Sequence, residues 1–226
     1  MRKIYPATFI STEKATQIIN QAKELKCDNI IINAEISPAQ MKNLQKIAAY
    51  DVRILDRTGV IIDIFSVHAK TREAKTQVGL AKLEYMLPRL TKQWTHLERQ
   101  MGGTGTRGGP GEKQIEIDRR LIRKDIDKLK KDLDKIQRTR ITQNQKRNET
   151  FQISLVGYTN AGKSSLMNVL TNSEVYVKDE LFATLDSTTK SLKLNVNRRA
   201  LISDTVGFIQ KLPRELVASF RSTLSD

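Results

Sequence analysis

The stretch Gly157 to Ser165, GYTNAGKSS, follows directly on the apolar run FQISLV. A strand feeding a glycine-rich turn that opens a helix is the arrangement that wraps a polyphosphate. The backbone N–H groups of Gly157, Tyr158, Thr159, Asn160, Ala161 and Gly162 can surround its oxygens, Lys163 can reach its outer phosphates, and Ser164 can ligate magnesium. Every fixed position of the pattern GxxxxGK[ST] is met. Ser165 to Leu170, with Leu166, Val169 and Leu170 apolar, supplies the helix that turns its positive end toward the phosphates.

A second cluster lies downstream. Lys190 to Val196 and Arg199 to Ser203 read as strands joined through Asn197-Arg198, and the second runs into Asp204-Thr205-Val206-Gly207. An Asp at a strand tip can hold magnesium through water, and the N–H of Gly207 can face a terminal phosphate. Phosphate loop, intervening loop and DxxG, in this order, point to the GTPase branch of P-loop proteins. The intervening loop contains LFATLDSTT, and one of its threonines is expected to complete the magnesium shell while the terminal phosphate is present. Position 208 is Phe, where many GTPases carry a water-orienting Gln, and Gln210 is in the wrong register. Intrinsic hydrolysis is therefore expected to be slow, and no catalytic residue is identified.

The elements that must position these groups fall into three segments. Residues 1–71 predict a small α/β domain: a helix over Ser11 to Lys26, a strand over Asn29 to Asn33, a second helix begun by Ser37-Pro38, and strands over Val52 to Leu55 and Val60 to Phe65. Residues 72–148 predict a long antiparallel helical hairpin. Leu80, Leu83, Leu87, Leu90, Trp94, Leu97 and Met101 form one seam, with Pro88 kinking or splitting it, and Ile122, Ile126, Leu129, Leu133 and Ile136 form the other. Residues 149–226 predict the first part of a P-loop domain. The fold class expected is α/β, with an incomplete GTPase domain.

Composition narrows the partners. Of 226 residues, 39 are Lys or Arg and 25 Asp or Glu, a formal net charge of +14, so polyanions are attracted. Aromatic content of 5% argues against base stacking as the main mode and favours folded, phosphate-rich surfaces. The single cysteine, Cys27, can form no internal disulfide, which fits a reducing cytoplasm, and His68 and His96 offer no zinc cluster. No apolar run approaches the ~20 residues of a membrane helix, so stable membrane insertion is not expected.

The hairpin's tip is the other unusual feature. GGTGTRGGPGE, residues 102–112, holds six glycines and no large apolar side chain, so it can build no core of its own. Residues 99–147 carry 15 Lys and Arg against 7 Asp and Glu. A rigid basic arm with a pliant end can bring backbone close to RNA phosphates. Arg107, Gly108, Gly109, Lys113, Arg119, Arg120 and Arg123 are the contact candidates.

Taken together, GGTGTRGGPGEKQIEIDRR (102–120), GYTNAGKSSLMN (157–168), LFATLD (181–186) and DTVGFIQKLP (204–213) resemble the HflX family of ribosome-associated translational GTPases. The resemblance spans essentially the whole chain. It implies GTP and Mg2+ as cofactors. The implied partners are the 50S subunit with its 23S rRNA and the 70S ribosome, whose stalled or idle form is dissociated. It further implies nucleotide contact by Phe182, Ala183, Thr184, Leu185 and Asp186, with Thr184 the switch ligand to the metal beside Ser164. On composition alone, Thr188 and Thr189 compete for that role. Ser187 departs from a common family proline, and the guanine-reading NKxD motif does not occur in these residues, so the chain is expected to be a fragment, here taken as a monomer. The expected consequence is apolar surface left open around Phe151 to Val156. The rival readings are a non-catalytic ribosome- or RNA-binding module, and a GTPase acting on another RNA or a membrane surface.

Overall fold

The computed structural model describes residues 4–49, 51–90, 111–144, 151–172, 180–182, 184–195 and 198–209. The glycine-rich tip up to residue 110, with Arg107, Gly108 and Gly109, lies outside them, as do Trp94, Leu97, Met101, Ala183, Asn197 and Gln210. The chain forms two compact units, Met1–Ile61 with Lys82–Ile126 and Ile62–Ala81 with Asp127–Asp226. The boundaries of this division fall inside three helices.

In the first unit, α1 (Thr12–Glu24) starts at Ser11, whose hydroxyl accepts from the Lys14 N–H at 3.3 Å. α2 (Pro38–Ile47) starts with a reciprocal cap: the Gln40 N–H donates to Ser37 Oγ at 3.2 Å and the Ser37 N–H to Gln40 Oε1 at 2.9 Å. β1 (Asn29–Ile32) and β2 (Arg53–Asp56) pair in parallel from Asn29–Arg53 to Ile32–Asp56. Ala15 and Ile19 of α1, Met41 and Leu44 of α2, Ile36, Ala48 and Ile54 close the core over this pair.

The expected strand over Val60 to Phe65 is instead part of helix α3 (Arg57–His68). Its β-branched run reads as a buried strand because a helix apolar on most of its faces has no amphipathic period. The deciding residue is Asp56. Its carboxylate accepts the Gly59 N–H at 2.8 Å, which is the N-cap bond of a helix that begins with no intervening loop. Asp56 is fully buried and also accepts from Tyr85 Oη at 2.7 Å and from the Ile36 N–H at 3.4 Å, while Arg89 Nη2 lies 3.5 Å away. Arg89 further donates to the Ile36 carbonyl at 3.0 Å and lies over the Tyr85 ring, 3.9 Å from its centroid.

α4 (Arg72–Met86) gives way at Pro88 to a 3-10 turn, Leu87–Arg89, as the missing proline N–H requires. α5 (Gly111–Asn144) takes in the last residues of the expected tip. Ile122 and Ile126 are buried and Leu129, Leu133 and Ile136 half-buried, so the expected seam is the covered stripe; Arg119, Arg120 and Arg123 are exposed on the same helix. Within the second unit α4 and α5 run antiparallel: Leu129 lies against Gly79, and Arg140 Nη1 meets Glu73 Oε1 at 3.2 Å.

The second unit also holds a three-stranded sheet in the order β3-β5-β4. β3 (Phe151–Leu155) runs parallel to β5 (Arg199–Asp204), and β4 (Thr188–Lys193) antiparallel to β5. α6 (Lys163–Thr171) follows β3. Met167 of α6 and Ala200 and Ile202 of β5 are buried, whereas Phe151, Val156, Leu166, Val169 and Leu170 are exposed. The apolar surface expected around the first strand is present and extends onto the helix.

Candidate nucleotide site

The register of β3 on β5 sets Leu155 beside Asp204, so the glycine-rich turn and the DxxG segment leave adjacent parallel strands at the same carboxyl end. That is where ligands bind in α/β sheets. Thr205 Oγ1 donates to the Leu155 carbonyl at 2.7 Å, stitching the two exits together. Beyond it the segments pair again: the Phe208 N–H donates to the Gly157 carbonyl and the Thr159 N–H to the Phe208 carbonyl, both at 2.9 Å. Gly207 passes so close that a Cβ there would sit 2.5 Å from Thr159 Cα and 2.7 Å from its nitrogen. Any side chain at 207 would push the two loops apart.

The turn's curl depends on left-handed backbone at Asn160 (φ 58°) and Gly162 (φ 83°). Open space surrounds Gly162, so its glycine is required by the backbone angle. Gly162 is also the residue at which α6 begins, and the Leu166 N–H returns to its carbonyl at 2.9 Å. Lys163 Nζ donates to the Tyr158 carbonyl at 2.8 Å, folding the side chain back over the loop. Burial pushes its ammonium below the usual lysine range, and the Asp204 carboxylate partly offsets this.

Three oxygens from distant parts of the chain converge here. Ser164 Oγ lies 2.9 Å from Thr184 Oγ1 and donates a short hydrogen bond to Asp204 Oδ2. Asp204 is fully buried, and its Oδ1 meets no hydrogen-bond partner among the described residues. A buried carboxylate with one oxygen bonded to Ser164 and the other without a donor among the described residues, together with the Ser164 and Thr184 hydroxyls, is the all-oxygen donor set that a hard divalent cation such as Mg2+ favours. The residues present therefore fit the metal that the phosphate-loop pattern calls for.

Residues 159–165, Glu180, Phe182, Thr184, Thr205 and Gly207 line one open cavity. Of the remaining sequence candidates, Gly157 and Tyr158 shape the turn from behind through the bonds just described, while Leu185 and Val206 are buried in packing. Asp186 faces elsewhere: its carboxylate accepts from the Lys70 and Thr71 N–H groups at 3.1 and 3.2 Å and from the Thr71 hydroxyl. Of the competing threonines, Thr189 pairs its hydroxyl with Ser203 at 2.8 Å and Thr188 opens β4, leaving Thr184 as the one beside Ser164. Lys113 lies in the first turn of α5. Sequence reasoning missed Glu180, which lines the cavity and lies 3.5 Å from His68 Nε2; a lone acidic residue before the LFATLD stretch carries no signal of either role.

Three family models match in succession: a GTP-binding GTPase N-terminal region over residues 1–66, a GTPase middle region over 68–147, and a 50S ribosome-binding GTPase over 152–225. Among curated proteins, GTPase HflX of Magnetococcus marinus is 48% identical over 228 residues, covering 100% of this chain and 52% of that protein. GTPase HflX of Escherichia coli is 43% identical over 224 residues, covering 98% and 52%. The chain thus spans about half the length of these relatives. A solved structure of SsGBP in complex with GDP is similar with a TM-score of 0.54 at 28% identity, over 99% of this chain and 59% of that one. A GTP-binding protein of Sulfolobus solfataricus, also in complex with GDP, gives 0.50 at 27% over 100% and 56%. Three matching regions in the order of the chain, together with close to half-identity to HflX proteins along its whole length, show that it belongs to the HflX family of GTPases.

Proposed function

We propose that the protein binds and hydrolyses GTP with Mg2+ and that its nucleotide state governs attachment to the large ribosomal subunit and the separation of stalled or idle 70S ribosomes. The single observation that carries the nucleotide part is the meeting of Ser164, Thr184 and Asp204, whose second carboxylate oxygen has no donor among the described residues, at the mouth of the glycine-rich turn. In this reading Ser164 and Thr184 hold the metal directly and Asp204 through water. When bound, the metal neutralises the charge that develops on the transferring phosphate. The turn's N–H groups and Lys163 orient the phosphate chain, and Gly207 brings its backbone up to the terminal phosphate.

Phe208 offers no carboxamide to the attacking water, so turnover by the protein alone is slow, and a partner surface completes the site. The basic arm is the part that meets rRNA, through Arg107, Gly108, Gly109, Lys113, Arg119, Arg120 and Arg123. The description of the matched GTPase region as 50S ribosome-binding supports that partner. The protein works as a monomer in the cytoplasm, where its ribosomal partner resides. Among the described residues no helix is long and apolar enough to cross a membrane.

Two titrations on the full-length protein test this. GTP and GDP should bind in Mg2+ while ATP does not, and chelation should weaken GTP more than GDP. Co-sedimentation with 50S subunits should be lost on replacing Arg107 and Lys113 by alanine, with nucleotide affinity within about twofold of the parent, because phosphate contacts act independently of the nucleotide pocket. Ribosome binding without any guanine-nucleotide binding would favour the non-catalytic module instead. Sedimentation with anionic vesicles but not subunits would overturn the ribosomal partner.

A further inference from the structure

The loop that carries Thr184 is held from outside the GTPase region. On either side of Thr184, three described residues have partners outside the 152–225 match, all within the second unit. The Phe182 ring, buried at a left-handed φ of 60°, stands edge-on to Phe65 of α3, with centroids 4.5 Å apart and planes at 83°. Leu185 is buried. Asp186 receives three donors from Lys70 and Thr71. Ser187 Oγ accepts from Arg140 Nη2 of α5 at 3.3 Å, and the same guanidinium is braced by Glu73 of α4. Phe65 lies in the stretch before α4, Lys70, Thr71, Glu73 and Arg140 lie in the 68–147 match, and none lies in the 152–225 match.

The Asp186 contact has the most directional chemistry. Thr71 is the N-cap of α4, its hydroxyl oxygen accepting from the Ala74 N–H at 3.1 Å while its proton goes to Asp186. Asp186 therefore adds a charge to the positive end of a 15-residue helix and satisfies the N–H groups of its cap, Thr71, and of Lys70 before it. It stands two residues from Thr184. Fixing a carboxylate with three donors at that separation confines the intervening backbone and so fixes where the Thr184 hydroxyl can reach.

We propose that Asp186 and Thr71 are positioning residues for the triphosphate state: this carboxylate-to-helix-cap latch sets Thr184 beside Ser164 without either residue touching nucleotide. The inference rests on the nucleotide-site reading above and deepens it. A contact that acts through Thr184 matters only to a state that engages Thr184, so its loss discriminates between nucleotides.

The test compares Mg2+-dependent binding of a non-hydrolysable GTP analogue and of GDP to the full-length protein. Asp186→Asn, which keeps volume but points an amide at N–H donors, should weaken the analogue about tenfold, the scale of a lost charge-assisted hydrogen bond, and leave GDP within about twofold. Thr71→Ser should match the parent. Thr71→Val should weaken the analogue selectively, and adding it to Asp186→Asn should cost little more. Equal weakening of both nucleotides, or no change in either, overturns the latch. Where Asp186→Asn fails to fold, the Thr71 pair decides: Val behaving like Ser overturns it. A parent protein that binds neither nucleotide removes the site reading and the latch together, whereas an indiscriminate variant on a binding parent removes the latch alone.

Discussion

Lys163→Ala is expected to reduce GTP affinity by about 100-fold or more, the equivalent of roughly 3 kcal/mol for a charge-assisted contact with phosphate oxygens in a partly enclosed site. The ammonium is held over the turn by the Tyr158 carbonyl and stands near the Asp204 carboxylate, so its reach toward an incoming phosphate is set by neighbours that stay in place. Burial lowers its pKa and Asp204 partly restores it. The sign follows: a desolvated ammonium disfavours the protein while it is protonated, and that burden is relieved as pH rises through its lowered value. An anionic phosphate supplies what burial removes. Affinity should therefore stay level through neutral pH and decline on the alkaline side, beginning below the usual lysine range of about 10.4. Calorimetric titration of the parent and the variant measures this. A variant that binds within threefold of the parent, or a parent whose affinity rises with alkalinity, would contradict the role given to the side chain.

Asp56→Ala is the second large effect, and it acts on stability. The carboxylate satisfies Tyr85 Oη, the Gly59 and Ile36 N–H groups and the nearby Arg89 guanidinium in a place sealed from water. Removing it takes the cap from α3, worth about 1 kcal/mol, and leaves a largely buried arginine facing a cavity, which costs about 3–5 kcal/mol. Against the roughly 5–15 kcal/mol that holds a domain folded, such a loss unfolds much of the first unit at physiological temperature. Asp56→Asn, which keeps one acceptor and the shape, should fall between. Urea denaturation followed by circular dichroism measures both, and a drop under about 1 kcal/mol for Asp56→Ala would mean that water or the arginine's other acceptors, the Ile36 and Tyr85 carbonyls, take over.

The helical caps and the phosphate turn were legible because their signals are local. Ser37-Pro38 with Gln40 three residues on can hardly do anything but start a helix, and the glycine-rich turn carries its backbone demand at Gly162 itself. The α5 seam was legible for the same reason, its period repeating over many turns. The run Val60 to Phe65 was misread because strand and buried helix share its apolar composition, and the arbiter, Asp56, is defined by Tyr85 and Arg89 about thirty residues away.

Local patterns along the chain were enough to mark the phosphate turn and the DxxG segment, because each is written in neighbouring residues whose spacing meets the physical requirement, and the same stretches carried the resemblance to the family. Only the tertiary structure shows Thr184, which the resemblance had put forward, beside Ser164, with Asp186 turned away from the cavity toward the cap of α4 and Ser164, Thr184 and Asp204 in one group of oxygens. Those facts depend on groups 20 to 116 positions apart, and a distance across a fold is set by packing, which no local pattern encodes.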